Sequence, residues 1–126
     1  MYDAFSRGDV PSVLAAMDPG IVWNEAENNA YADGNPYVGP EAILNGVFAR
    51  IVSEWDGFKV VPTELLDAGD AVVMYGRYNG TYKSTGRTIN TQVVHLWKVR
   101  GGKAVSFQQY VDTAQMRDAM TMRASA

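Results

Sequence analysis

The fold is decided by residues 88–111, TINTQVVHLWKVRGGKAVSFQQYV. Apolar and polar side chains alternate through 88–99 and again through 104–111, which is the two-residue period of β-strands. The break between these segments, Arg100-Gly101-Gly102-Lys103, is short and rich in glycine, like the turns that join consecutive antiparallel strands. The stretch therefore predicts a β-hairpin.

The same period extends upstream of this hairpin. Residues 58–66 and 71–82 alternate in the same way, and short breaks at 67–70 and 83–87 separate them from each other and from the hairpin. Strands joined by such short turns pair with their neighbours in sequence. We therefore predict a four-stranded antiparallel meander.

Helical spacing of apolar residues appears on both sides of the meander. It predicts an amphipathic helix over 9–17, a longer helix over 39–55 and a closing helix over 113–123. Between the first two, 21–25 alternates like a strand and 26–38 is a loop dense in turn formers. Helices that cover one face of an antiparallel sheet define an α+β domain, and we expect one such domain over 1–126. The polar stretch Tyr2 to Gly8 also looks helical, so we expect the chain to begin inside its first helix.

Composition narrows the function classes. The chain has 126 residues, is 47% hydrophobic and 20% charged, and has a formal charge of -3. These values are typical of a water-soluble globular domain and argue against disorder and membrane insertion. Lys and Arg are scattered, so no basic patch predicts a nucleic-acid partner.

The residue types present also limit which kinds of catalytic or metal site the chain can form. The chain contains no Cys and one His, so disulfides, thiolate metal sites and cysteine nucleophiles are excluded. A zinc site would need several carboxylates around one imidazole, so we expect no metal. No dinucleotide or phosphate-binding motif is present, so we expect no cofactor. No cleavable leader is visible after Met1, which favours a cytoplasmic location.

Three titratable residues are candidates for catalysis. His95 lies mid-strand on the more apolar face of its segment, where it is either a satisfied core residue or part of a pocket. Glu25 shares a strand face with Trp23. It is either part of the pocket or a carboxylate exposed to water at the end of the strand. Asp112 precedes Gln115 by three residues, a spacing that also matches a helix cap. Both interpretations of each residue remain open on spacing alone.

Polar groups on apolar strand faces predict a pocket. Tyr78 shares a face with Val72 and Met74, where a buried hydroxyl needs a partner. Gln108, in step with Tyr110, is out of place on its strand unless that face lines a cavity. The aromatic residues are otherwise typical core. The predicted ligand-binding set is Trp23, Tyr31, Tyr78, Trp97, Gln108 and Tyr110.

Several segments resemble a known family. They are Ala4-Phe5-Ser6-Arg7-Gly8-Asp9-Val10, Val22-Trp23, Tyr37-Val38-Gly39-Pro40-Glu41, His95-Leu96-Trp97-Lys98-Val99 and Gln108-Gln109-Tyr110-Val111-Asp112-Thr113. With them the chain resembles the SnoaL-like polyketide cyclases, within the wider nuclear-transport-factor-2-like fold that includes ketosteroid isomerase. The resemblance implies a cone-shaped curved antiparallel sheet packed against about three helices, one enclosed pocket and a homodimer.

The resemblance also implies roles for particular residues. Glu25 falls where ketosteroid isomerase has its catalytic Asp base, and His95 where it has a protonated Asp that binds the developing enolate. The tyrosine of that site would fall at or just before Tyr2. SnoaL-like cyclases are often built on a His and an Asp, which His95 and Asp112 match.

Three functions remain open on the sequence. The first is a cofactor-free acid/base enzyme, of isomerase, cyclase, dehydratase or hydrolase type, acting on a small apolar carbonyl compound. In it Glu25 or Asp112 is the base and His95 the proton donor or oxyanion partner. The second is a non-catalytic module that binds a small hydrophobic molecule. The third is an assembly domain whose cavity is filled by its own side chains.

Overall fold

The computed structural model describes residues 1–121. The helices before the meander are α1, α2, α3 and α4, and α5 follows it. Their bounds are Tyr2–Ser6 for α1, Val10–Ala15 for α2, Pro40–Ile43 for α3, Ala49–Glu54 for α4 and Thr113–Met120 for α5. A short 3-10 helix covers Ala30–Gly34, and the π-helical turn Leu44–Phe48 joins α3 to α4.

Six strands form one mixed sheet, so the α+β fold with a curved sheet is confirmed. They are β1 Met17–Asn24, β2 Tyr37–Val38, β3 Trp55–Asp67, β4 Ala71–Tyr82, β5 Thr88–Arg100 and β6 Lys103–Val111. Their order is β2-β1-β6-β5-β4-β3. The strands β3 to β6 pair as the predicted antiparallel meander, whereas β1 joins β6 in parallel and β2 in antiparallel orientation.

The sheet curves because β3 carries two register shifts against β4, and irregular pairing of this kind bends a strand. One shift lies between Pro62 and Glu64, opposite Gly76. A Cβ on Gly76 would lie 2.2 Å from the backbone oxygen of Val61. This close approach requires glycine at position 76.

The helix boundaries differ from the prediction at their ends. Asp9 caps α2 by accepting a hydrogen bond from the Ser12 backbone N–H, but α2 ends at Ala15 and Met17 already belongs to β1. The predicted helix over 39–55 is interrupted by the π-helical turn, and Trp55 begins β3. The closing helix ends at Met120, and positions 122 and 123 of the prediction lie outside the described residues.

Two apolar clusters fill the concave side of the sheet. The first contains Trp23, Phe48, Trp97 and Phe107 and packs under α1 to α4. The second contains Trp55, Met74, Tyr78 and Met116 and packs under α5. No helix within residues 1–121 is long and apolar enough to cross a membrane.

Candidate active site

A cavity lies between the two apolar clusters. Its walls are mainly aromatic and aliphatic, and its polar lining side chains are Tyr2, Glu25, Asn29, Tyr31, Tyr78, His95 and Gln109. The cavity volume is about 60 Å³, counted as the space open to the centre of a water molecule. One ordered water needs roughly 10 to 15 Å³ of such space. The cavity therefore has room for several waters or one small ring.

The register of the meander places His95 at the bottom of this cavity. His95 lies opposite Met74 on β4 and opposite Gln109 on β6, and it is 5% exposed. Its Nδ1 atom is 2.8 Å from the Tyr2 hydroxyl and its Nε2 atom is 2.5 Å from the Tyr78 hydroxyl. Both ring nitrogens are therefore occupied by tyrosines. We call these three residues the Tyr2–His95–Tyr78 cluster.

Each tyrosine oxygen of this cluster also accepts a hydrogen bond from a residue outside it. The indole N–H of Trp97 donates to the Tyr2 oxygen at 2.6 Å, and Nε2 of Gln109 donates to the Tyr78 oxygen at 2.9 Å. Oε1 of Gln109 accepts from the backbone N–H of Ala26 at 3.2 Å. Because a backbone N–H can only donate, this contact fixes which end of the amide meets Tyr78.

Glu25 is the buried carboxyl of the cavity, with 2% of its surface exposed. The indole N–H of Trp23 donates to its Oε2 atom at 3.0 Å. The Asn35 side chain bonds both the N–H and the C=O of Glu25, so the backbone is held in place. Within residues 1–121 the other carboxyl oxygen, Oε1, has no hydrogen-bond partner, although Glu25 lines the cavity. That oxygen is available to a bound molecule.

Burial changes the titration of both groups. It raises the pKa of Glu25 from its ordinary 4.5 to about 7, although the Trp23 hydrogen bond and the Arg50 charge act in the opposite direction. Burial lowers the pKa of His95 from 6.5 to about 3. At neutral pH the imidazole is uncharged, while the Glu25 carboxyl is protonated in part of the molecules and ionised in the rest. The pKa values of Tyr2 and Tyr78 are raised by burial, so both hydroxyls keep their protons.

Four of the five predicted aromatic residues, Trp23, Tyr31, Tyr78 and Trp97, line the same cavity. Trp23 stacks on Phe107 with ring centroids 3.7 Å apart, and Trp97 packs against both. Tyr31 lies at another part of the wall, where its hydroxyl donates to Glu54 at 2.8 Å and accepts from Trp55 at 3.0 Å. Its hydroxyl is thereby used within the protein, so Tyr31 offers a ligand mainly its ring.

Two residues that were predicted to line the pocket lie on the outward face of β6. Phe107 and Gln109 point into the protein, so the alternation of β6 turns Gln108 and Tyr110 outward. Gln108 is half-buried and its amide bonds the backbone oxygen of Gln109, and Tyr110 is 56% exposed. Their placement in the pocket is therefore wrong.

Asp112 is a helix cap. Its Oδ1 atom accepts the backbone N–H of Gln115 at 3.2 Å at the start of α5, and Asp112 does not line the cavity of His95. The spacing to Gln115 already indicated this role. Glu25 and His95 are thus brought together in one cavity, and Asp112 is not.

The sequence reasoning missed Gln109 and Asn29. Gln109 could have been found from Phe107, because the larger apolar side chain sets the buried phase of β6 and Gln109 is in step with it. Asn29 reaches the cavity from a loop, where no periodicity reports on burial. Tyr2 lies where the resemblance implied a tyrosine.

Among residues 1–121 no group of three His, Asp or Glu side chains could hold a metal ion.

Comparisons with known proteins agree with this fold. The family model of the SnoaL-like domain matches residues 1–107, so the chain belongs to the SnoaL-like domain family. An NTF2-like protein from Burkholderia thailandensis E264 is 38% identical, with a TM-score of 0.91, over 96% of this chain and 92% of its own. No curated protein matches the chain.

Two further solved structures are similar over most of their length. An NTF2-like protein of unknown function from Burkholderia pseudomallei K96243 is 29% identical, with a TM-score of 0.87, over 96% of this chain and 92% of its own. TerC, crystallised with polyporic acid, is 26% identical, with a TM-score of 0.82, over 94% of this chain and 91% of its own. Structures described as SnoaL-like polyketide cyclase or ketosteroid isomerase-like are 17% and 20% identical and show the shared fold.

Proposed function

We propose that the cavity is the active site of a cofactor-free acid/base enzyme that acts on a small, mostly apolar carbonyl compound. Glu25 is the base, and the Tyr2–His95–Tyr78 cluster supplies the hydrogen-bond donor to the carbonyl oxygen. The observation that carries this proposal is a buried carboxyl that lines the same cavity as the cluster and has one oxygen without a hydrogen bond to the protein.

Glu25 is suited to be the base because its pKa is about 7. A general base works best when its pKa lies near the operating pH, since it is then ionised in part and still binds the proton strongly. The free Oε1 atom can take a proton from carbon next to a carbonyl group, while Trp23 holds Oε2. Asp112 has no such position, so the choice between the two carboxylates falls on Glu25.

His95 acts through its neighbours in this proposal. Both its nitrogens bond tyrosine oxygens, so a carbonyl oxygen in the cavity meets a tyrosine hydroxyl rather than the imidazole. His95 is then a positioning residue that holds Tyr2 and Tyr78, and its low pKa keeps it neutral. A donor held in an apolar cavity stabilises the charge that develops on an enolate oxygen.

The cavity limits the size of the substrate. About 60 Å³ of space admits one ring of the size of cyclohexene, and the aromatic walls favour an apolar ring. The crystallisation of the relative TerC with polyporic acid supports a small-molecule ligand for this cavity. We use 3-cyclohexen-1-one as a probe, because its carbonyl acidifies the adjacent hydrogens and its ring is small.

The test is exchange of these hydrogens for deuterium in heavy water, followed by proton NMR. We expect the protein to accelerate exchange, and Glu25→Gln to lower the acceleration by about 10²- to 10⁴-fold, the usual contribution of a general base. The matched control is Glu27→Gln, an exposed carboxyl two residues away, which should leave the rate unchanged. Equal rates for the parent and Glu25→Gln would refute the assignment.

Non-catalytic binding is the second candidate function. The same aromatic walls and tyrosine donors would hold an apolar ligand without chemistry. Binding of the probe without exchange, at every pH tested, would favour this function over the first. The assembly alternative with a filled cavity is disfavoured because open space remains next to His95.

We further propose a cytoplasmic homodimer, joined through the convex face of the sheet. Tyr75, Val94 and Tyr110 lie in one cross-strand row there, and Tyr75 and Tyr110 are exposed. A second copy of the chain would bury this row. Sedimentation equilibrium of Tyr110→Glu tests the interface, because a charge buried in this row should convert a dimer to a monomer. A parent protein that is itself monomeric would exclude the dimer.

A further inference from the structure

The Tyr2–His95–Tyr78 cluster has one hydrogen too many for its own bonds. A neutral imidazole carries one N–H, and each tyrosine carries one O–H, which makes three hydrogens. Only two hydrogen bonds exist within the cluster, one at each ring nitrogen. Two of the three hydrogens fill these bonds, and one hydroxyl hydrogen is left over.

The remaining hydroxyl hydrogen cannot be donated to Trp97 or to Gln109, the residues that bond the two tyrosine oxygens from outside the cluster. Trp97 has only an N–H to offer Tyr2, so the Tyr2 oxygen must accept there. The Gln109 amide is fixed by the Ala26 N–H, so it too donates, and the Tyr78 oxygen must accept.

A second contact confirms the orientation of Gln109. The backbone N–H of Tyr31 donates to Oδ1 of Asn29, which leaves Nδ2 of Asn29 to donate to Oε1 of Gln109. The chain of donors therefore runs in one direction from Tyr31 to Tyr78. Within residues 1–121 neither tyrosine hydroxyl has any acceptor other than His95.

We infer that the tautomer of His95 decides which tyrosine presents the spare hydrogen to a molecule in the cavity. If Nδ1 carries the proton, it donates to Tyr2, Tyr78 donates to Nε2, and the Tyr2 hydroxyl is free. If Nε2 carries the proton, the pattern is reversed and the Tyr78 hydroxyl is free. Each tautomer thus presents a donor at a different wall of the cavity.

The two tyrosines differ in their exposure to water. Tyr78 is 5% exposed, whereas Tyr2 is only partly buried and also lines a second, more open surface pocket. A buried O–H without a partner costs about 1 to 3 kcal/mol. In the protein without a ligand the spare hydrogen therefore belongs to Tyr2, and Nδ1 of His95 carries the ring proton.

The two tautomers are connected by a balanced proton transfer. A basic oxygen in the cavity takes the free Tyr2 proton, the Nδ1 proton moves to the Tyr2 oxygen, and the Tyr78 proton moves to Nε2. Glu25 in its carboxylic acid form then resupplies the Tyr78 oxygen with a proton through a molecule held between them in the cavity, because no hydrogen bond joins the two side chains directly. One proton leaves the cluster at Tyr2 and one enters at Tyr78, so the cluster could return to substrate a proton that Glu25 removed. This last use rests on the proposed function, whereas the tautomer does not.

Nitrogen-15 NMR of histidine-labelled protein tests the tautomer, and the chain has one His, so the signals need no assignment. We expect a neutral ring near pH 7 with the proton on Nδ1. Tyr2→Phe removes the acceptor at Nδ1 while Tyr78 still donates to Nε2, so the ring proton should stay on Nδ1 and the Nδ1 signal should lose the shift caused by its hydrogen bond. Tyr78→Phe should leave it on Nδ1, and the exposed control Tyr75→Phe should change nothing.

Three results would overturn the inference. They are a charged imidazole near neutral pH, a ring proton on Nε2 in the parent, and a ring proton on Nε2 in Tyr78→Phe. The parent measurement is sufficient on its own if a variant does not fold. A negative exchange experiment with a confirmed tautomer would refute catalysis alone, so the two failures are distinguishable.

Discussion

Trp23 and Glu25 lie on the same face of the chain at the end of β1, and the indole N–H of Trp23 donates to Oε2 of Glu25 at 3.0 Å. This bond favours the charged form of the carboxyl, and burial opposes it. Trp23→Phe keeps an aromatic ring and removes the donor. A hydrogen bond to a charged group is worth about 1.5 to 3 kcal/mol, so the pKa of Glu25 should rise by roughly one to two units.

The measurement is a carbon-13 NMR titration of the Glu25 carboxyl in the parent and in Trp23→Phe. Glu25→Gln identifies the signal by its loss. A Trp23→Phe midpoint equal to or below that of the parent would show that the indole does not stabilise the carboxylate.

The opposite pKa shifts of Glu25 and His95 predict an unusual dependence of stability on pH. The folded protein holds the Glu25 proton up to about pH 7 while the unfolded chain loses it near 4.5, so this group lowers stability as pH rises through that window. The unfolded chain binds a proton on His95 below pH 6.5, whereas the folded protein binds it only below about pH 3. Because of this group, stability rises with pH between these two values. Between pH 4.5 and 6.5 the two effects oppose each other.

Glu25→Gln should expose the His95 effect. In that window the free energy of unfolding of the variant should rise, relative to the parent, by about 1.4 kcal/mol per pH unit. Urea denaturation at several pH values measures both slopes. Parallel slopes for the two proteins would mean that Glu25 titrates at its ordinary value.

Gln109 and Gln108 form a matched pair for testing the amide chain. Gln109→Leu leaves the backbone N–H of Ala26 and the amide of Asn29 without their acceptor, so it should destabilise the protein by about 1 to 3 kcal/mol for each buried donor. Gln108→Leu, on the outward face, should change stability by less than about 1 kcal/mol. Thermal or urea unfolding compares them, and equal effects would contradict the placement of the two residues.

Asp112 should matter for stability alone. Asp112→Ala removes the cap of α5, and such losses cost about 0.5 to 2 kcal/mol. Exchange of the probe should be unchanged in the folded variant, because Asp112 does not line the cavity. A folded Asp112→Ala protein that loses exchange would restore Asp112 as a catalytic carboxylate.

The sequence predicts the strands well because alternation is a local property. His95 and Trp97 on β5 are buried as predicted, and so are Trp23 on β1 and Glu25 directly after it. The error in β6 has the same origin, since a one-residue change of phase moves every side chain to the other face. The choice of Gln108 over Gln109 follows from that single step.

Other parts of the site depend on contacts between distant segments. The bond from Tyr2 to His95 spans 93 positions, and the bond from Asn29 to Gln109 spans 80. No local pattern reports such a contact, and a loop residue such as Asn29 has no periodicity at all. The cluster becomes visible only once the sheet has curved and α1 has packed over its concave face.

The central claim is that Glu25 is the base of this cavity, and the pH dependence of probe exchange tests it most directly. We measure deuterium exchange of 3-cyclohexen-1-one with the parent and with Glu25→Gln from about pH 5 to about pH 9. For the parent we expect the rate to rise with a midpoint near the Glu25 pKa of about 7, and for Glu25→Gln we expect no such rise. A parent rate that is already constant from pH 5 upward, as expected for a carboxyl that titrates near 4.5, or an equal rise in both proteins, would contradict the claim.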